Sequence, residues 1–165
     1  YENQLELPAG FVENLQLYLD VGTPWKTKTG THIELRPGMV NFSTVGRQAS
    51  PNLREAYYKW DQIHRERDDI VDYIKGIYPE FEVAIGGTIS VDIYPAGKNK
   101  SQVIDTLEEI HGADASFVFV GDRNVPGGND WPLAQRLEAR EGSVWYQVLS
   151  YEETRALIEY DELFI

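Results

Sequence analysis

The sequence predicts an α/β protein made of two unlike units. The first, over residues 1–95, is an α+β unit of antiparallel hairpins and two helices, and the second, over residues 96–165, is part of a parallel α/β domain. Three observations carry this reading. Two turn signals, Pro37-Gly38 and Gly86-Gly87, each sit between short apolar-alternating runs, as hairpins require. A long segment between them repeats apolar residues near the helical period. After Gly97 the pattern changes to continuous apolar strands bounded by helical segments, the signature of parallel strands covered on both faces.

Taken in order, Pro8–Asp20 spaces Phe11, Leu15, Tyr18 and Leu19 as an amphipathic helix. Thr31–Arg36 alternates, with Ile33 and Leu35 on one face and Glu34 and Arg36 on the other. In the Pro37-Gly38 turn, proline presets φ and glycine accepts a positive φ, and Met39–Thr44 returns as the partner strand. Ser50-Pro51 reads as a capped helix start. The apolar series Leu53, Tyr57, Trp60, Ile63, Ile70, Ile74 and Ile77 then predicts one long helix that Pro79 ends. Phe81–Ile85 and Thr88–Tyr94 form the second hairpin around Gly86-Gly87. Beyond a junction near Tyr94–Lys98 come a helix over Asn99–Ile110, a strand over Ser116–Val120 and a helix over Trp131–Arg140. A strand over Val144–Leu149 and a helix over Ser150–Tyr160 close the chain. Two parallel strands cannot bury both faces of a sheet, so the second unit is expected to be the C-terminal part of a larger domain.

Composition narrows the function. The 165 residues carry 27 acids against 15 bases, a net charge of −12. That argues against nucleic acid as a partner, since phosphate-backbone binding needs a basic face. No apolar run is long enough to span a membrane, and the absence of cysteine suits a reducing cytoplasm.

Three clusters carry candidate chemistry. Asp122 follows the apolar strand Phe117–Val120, at the carboxyl end where open α/β sheets bind ligands. With Gly127-Gly128 after it, this carboxylate suits Mg²⁺, which takes oxygen ligands plus waters and phosphate. Asp130 is a further ligand, an orienting partner of Asp122, or the cap of the helix at Trp131. Upstream, Lys100 opens a helix where its charge can neutralise a transferring phosphoryl group. In the first unit Arg36, Arg47 and Arg54 offer planar forks that match phosphate. Arg54 lies in the first turn of the Pro51 helix, where free N–H groups already favour an anion. Ser90 and Asp92 fall on the face opposite Val91 and Ile93, where they either meet sugar hydroxyls or are ordinary solvent-facing alternation. His32, His64 and His111 have no ligand-like spacing.

The stretches IELRPGMVNFSTVGR, IGGTISVDIYPAGKNK, FVFVGDRNVPGGND and EETRALIE, in this order, resemble the eukaryotic-type phosphomannomutases of the haloacid dehalogenase (HAD) superfamily. The resemblance implies a HAD-like, Rossmann-type core bearing an inserted α+β cap, with residues 1–95 as the cap and 96–165 as the C-terminal part of the core. The family's Asp-x-Asp strand has no counterpart in the sequence, so the N-terminal part of the core, with the nucleophile, is expected outside this chain. The implied activity interconverts mannose 6-phosphate and mannose 1-phosphate through an aspartyl-phosphate and a bisphosphorylated sugar, feeding GDP-mannose synthesis. Arg36, Arg47 and Arg54 would then hold the phosphate that is not reacting, and Ser90 and Asp92 would read the sugar. Lys100 would serve the transferred phosphoryl group and Asp122, with Asp130 in the same loop, would bind Mg²⁺. A cytoplasmic homodimer joined through the cap is implied as well, with the helix carrying Tyr57, Trp60 and Tyr73 as the candidate surface. The alternatives are a sugar-phosphate phosphatase of the same superfamily and a non-catalytic sugar-phosphate-binding fragment.

Overall fold

The computed structural model describes residues 4–159. The chain divides into two compact units, Tyr1–Lys98 and Asn99–Ile165.

Unit 1 is built on a four-stranded antiparallel sheet of order β1-β2-β4-β3. Strands β1 (Ile33–Arg36) and β2 (Met39–Phe42) pair with Arg36 opposite Met39, so Pro37 and Gly38 alone form the turn, and Gly38 takes φ 74° as expected. Strands β3 (Phe81–Gly86) and β4 (Ser90–Pro95) pair with Gly86 opposite Ser90. The second turn is therefore three residues, Gly87 to Ile89, rather than the Gly86-Gly87 pair expected. Helix α1 (Phe11–Leu17) runs on into a wider turn over Tyr18–Gly22.

The long helix expected between Ser50 and Pro79 is two helices, α2 (Pro51–His64) and α3 (Glu66–Ile77). Ser50 caps α2 by accepting from the Leu53 N–H at 3.3 Å. Between the helices Arg65 takes a left-handed conformation, φ 55°, which ends the first helical ladder. An ion pair stitches the break. The buried Asp61 carboxylate accepts from the Arg67 backbone N–H at 3.0 Å and from Arg67 Nε at 2.8 Å. Arg67, itself 2% exposed, also donates to the Gly87 carbonyl at 3.0 Å and so ties the break to the β3–β4 turn.

Helices α1 and α3 cover one face of the sheet, where Phe11, Leu15, Ile70, Ile74, Phe42 and Ile93 share a core. A second cluster gathers Val45, Ala49, Tyr57 and Ile89 with Trp25 and Trp60. Tyr57 is fully buried there, so it belongs to the unit's own core and offers no surface to a partner. His64 stacks on Trp60, ring centroids 4.3 Å apart. The other face of the sheet carries Glu34, Arg36, Asn41 and Asp92, with Ala84 and Tyr94 beside them.

Unit 2 places two parallel strands, β5 (Val118–Gly121) and β6 (Val144–Gln147), beside helices α4 (Val103–His111), α5 (Trp131–Glu138) and α6 (Tyr151–Glu159). A short 3-10 turn, Lys100–Gln102, leads into α4, and Asn99 caps it by accepting from the Ser101 N–H at 3.0 Å. Ile104, Leu133 and Leu137 pack with Phe117, Phe119 and Trp145. The alternate residues Val118 and Val144, directly opposite each other, are 47% and 44% exposed. Among the described residues the sheet thus has one covered face, not the two that the continuous apolar runs suggested.

Candidate functional site

On the polar face of unit 1 Arg36 and Arg47 come together, and Arg54 of α2 is tied to the Arg47 loop. Arg36, at the end of β1, and Arg47, in the loop after β2, meet on the same oxygen of Glu34: Arg36 Nη2 lies 2.5 Å and Arg47 Nε 3.3 Å from Glu34 Oε2. Arg54, in the first turn of α2, donates through Nη2 to the Arg47 carbonyl and through Nε to the Ala49 carbonyl at 2.9 Å. A guanidinium has five donors, and these contacts use only part of each fork. The arginine beside Glu34 holds its carboxyl below the usual carboxylate range, chiefly through the Arg36 hydrogen bond. Alternation puts Glu34 on the face of Arg36, but nothing in the sequence singles it out as a site residue.

The loop that carries Arg47 is anchored at several points. Ser43 Oγ donates to the Ile89 carbonyl at 2.8 Å, and the Arg47 N–H donates to the Thr31 carbonyl at 2.8 Å. Thr44 donates to the buried Glu66 carboxylate at 2.9 Å, which also accepts from the Tyr57 hydroxyl at 2.7 Å. Burial first, and Glu66 second, push the Tyr57 hydroxyl pKa up.

The hydroxyl readers fare differently. Asp92 is half-buried on β4, opposite Asn41 of β2, and accepts from Asn41 Nδ2 at 2.7 Å. Ser90 is buried, 6% exposed, and its hydroxyl donates to the Gly86 carbonyl at 3.2 Å. The open polar face expected for the Ser90–Asp92 pair is therefore open only at Asp92, because the Ser43 loop folds back against the β3–β4 turn.

Unit 2 gathers Lys100, Asp122 and Asp130 around one cavity of about 380 Å³, which Gly121, Ser150 and Thr154 also line. Asp130 sits at the N-cap position of α5 yet makes no side-chain cap. Instead its carboxylate, 3% exposed, takes a charged hydrogen bond from Lys100 Nζ and accepts from the Arg123 N–H at 3.1 Å. The cap reading of Asp130 is thereby corrected: the side chain turns inward to Lys100 because a buried carboxylate needs a cation more than a helix end needs one acceptor. A Cβ on Gly121 would come within 2.8 Å of Asp130 Oδ2 and 2.6 Å of Asn124 Oδ1, so glycine at the end of β5 admits both oxygens.

Asp122 is exposed. Gln147, at the end of β6, accepts from the Asn124 N–H at 3.0 Å and donates to the Asp122 carbonyl at 2.7 Å, fixing the loop backbone while leaving the Asp122 carboxylate to the cavity. Neither Gln147 nor Asn124 was singled out from sequence, for an amide at a strand end carries no distinctive signal. Asn124 Oδ1 is buried with no hydrogen-bond partner among the described residues. The available donors are hard oxygens, which fit Mg²⁺. Among the described residues no three acids or histidines converge as a complete cage, and Mg²⁺ commonly takes one or two carboxylates with waters and substrate phosphate.

The model of the eukaryotic phosphomannomutase family matches residues 11–164. The chain belongs to that family. It is 36% identical over 129 residues to a phosphomannomutase of Galdieria sulphuraria, covering 77% of this chain and 48% of that relative. To the phosphomannomutase of Saccharomyces cerevisiae it is 33% identical over 144 residues, 83% of this chain and 52% of the relative. A tomato (Solanum lycopersicum) phosphomannomutase is 35% identical over 129 residues. The chain thus spans about half the length of the curated relatives it matches. This family member brings its arginines together in unit 1 and its lysine and aspartates together in unit 2. No helix among its described residues is long and apolar enough to cross a membrane.

Proposed function

We propose that this chain supplies the sugar-phosphate clamp and part of the phosphoryl-transfer site of a phosphomannomutase, an isomerase that exchanges phosphate between the 1 and 6 positions of mannose. The observation that carries the reading is the meeting of Arg36 and Arg47 on one carboxylate oxygen, with Arg54 tied to the same loop. Two guanidiniums that share one oxygen of Glu34 can share one oxygen of a phosphate.

In this reading unit 1 is the cap and unit 2 is the C-terminal part of a HAD-like core. The arginines bind the phosphate that is not reacting, and Asp92 accepts from a sugar hydroxyl. Lys100, held by Asp130, keeps a positive charge in the unit 2 cavity. Asp122 would hold Mg²⁺, with Asp130 close by in the same loop, and the ion when bound supplies charge to phosphoryl oxygens. In this reading the family's aspartyl-phosphate route takes its nucleophile from the N-terminal part of the core. Glu34 gives way to the incoming phosphate, since an exposed ion pair holds weakly.

The test is an assay of the full-length protein that carries this chain, with mannose 1-phosphate, a bisphosphorylated sugar activator and Mg²⁺. Mannose 6-phosphate forming faster than free phosphate is the expected result. Free phosphate as the only product would replace the mutase with the phosphatase.

A further inference from the structure

We infer that Asn41 is a specificity-determining residue of the sugar site: its Nδ2 fixes the Asp92 carboxylate, and its Oδ1 is kept for a hydroxyl of the bound sugar. The inference rests on the sugar-phosphate reading of unit 1 and deepens it.

The argument starts from register. Glu34, Asn41 and Asp92 stand directly opposite one another on β1, β2 and β4, and the apolar residues on either side, Val40, Phe42, Val91 and Ile93, turn to the core. Asn41 therefore lies on the polar face one strand-width, about 4.8 Å, from the residue that gathers Arg36 and Arg47. A sugar whose phosphate is held by those arginines can lie over it.

The amide's orientation is dictated by its neighbour. Nδ2 donates to Asp92 Oδ1 at 2.7 Å, and the flipped amide would set two oxygens against each other. On its other side Asp92 is confined by Gly86, where a Cβ would stand 2.7 Å from Asp92 Oδ2. The consequence is that Asn41 Oδ1, on a side chain only 3% exposed, has no hydrogen-bond partner among the described residues. A buried acceptor left unsatisfied costs on the order of 1–3 kcal/mol, and native structures seldom carry one without a reason. If Asn41 served only to steady Asp92, a donor would suffice and the orphan acceptor would be pure loss.

Two acceptors side by side, Oδ1 of Asn41 and the Asp92 carboxylate, match two adjacent hydroxyl donors. The ligand class is a phosphate ester of a polyol with neighbouring free hydroxyls, as in a hexose phosphate.

The experiment titrates mannose 1-phosphate, ethyl phosphate and inorganic phosphate into the 165-residue chain by calorimetry, for wild type and Asn41→Leu. Ethyl phosphate has the ester without hydroxyls. Wild type should bind mannose 1-phosphate at least about tenfold tighter than ethyl phosphate, and Asn41→Leu should erase that margin while leaving inorganic phosphate unchanged. An undiminished margin in Asn41→Leu, or equal losses for all three ligands, would overturn the inference and leave the arginine clamp standing. If wild type binds none of the three, the clamp falls first and the inference with it. Should Asn41→Leu fail to fold, Asn41→Ser repeats the comparison with a side chain too short to reach both neighbours.

Discussion

In unit 1 the Glu34 side chain is 38% exposed between two guanidiniums that are about as open, whereas in unit 2 the Asp130 side chain is 4% exposed and its lysine is half in solvent. Water screens the first arrangement, so its ion pairs are weak and an incoming anion can take over the arginines. The second is fixed, because a buried carboxylate that loses its partners is left unpaired away from water. In the proposed reading one site adjusts to its ligand and the other is set before the ligand arrives.

The contrast can be broken most severely at the buried extreme within unit 1. Asp61→Ala strands Arg67, 2% exposed, and should cost about 3–5 kcal/mol of unit 1 stability. Urea unfolding followed by fluorescence checks this, since Trp25 and Trp60 report on unit 1 and Trp131 and Trp145 on unit 2. Next comes Asp130→Ala, which removes acceptors from Lys100 and the Arg123 N–H and should cost unit 2 about 1.5–3 kcal/mol in the same assay. Glu34→Gln should leave unit 1 stability nearly unchanged, since an exposed ion pair contributes little, while tightening inorganic phosphate binding several-fold. A loss of stability as large as that at Asp130 would erase the distinction between the two carboxylates.

The pH response separates the two ends of the scale. Glu34 has its pKa lowered in the folded state, so its contribution is present above the ordinary carboxylate pKa of about 4.3 and is lost only as pH falls further. The tyrosines run the other way. Burial, ahead of the nearby Glu82 and Asp92 charges, pushes the Tyr94 pKa up to about 12 from 10.0, and Tyr18 and Tyr57 are raised too. A raised folded pKa gives stability that is complete below pH 10 and lost as pH rises beyond it. Alkaline titration followed by circular dichroism should therefore unfold unit 1 above about pH 10. A plateau through pH 12 would count against the buried hydroxyls.

Much of this architecture is legible in the sequence. Pro37-Gly38 set the β1–β2 register because proline fixes φ at the first turn position and glycine accepts the positive φ that the second requires, and that register determines which face Glu34 and Arg36 share. The break at Arg65 was not legible: arginine in a left-handed conformation leaves no glycine signal, and the apolar period continues through it. The burial of Ser90 escaped for another reason. Alternation tells which residues share a face, but what covers that face depends on the distant Ser43 loop. In unit 2 the apolar strand and its trailing Asp122 were plain, while Asp130's turn toward Lys100 depended on a contact 30 residues apart. Gln147 and Asn124 hold the Asp122 loop through backbone groups, and such contacts impose no pattern on the sequence.

The claim on which the account depends is that Arg36, Arg47 and Arg54 form a single anion clamp. Calorimetric titration of mannose 1-phosphate into the 165-residue chain and its Arg36→Ala, Arg47→Ala and Arg54→Ala variants addresses it most directly. Each variant should bind at least about tenfold more weakly, a change of about 1.4 kcal/mol. Three variants that bind as wild type does would contradict it.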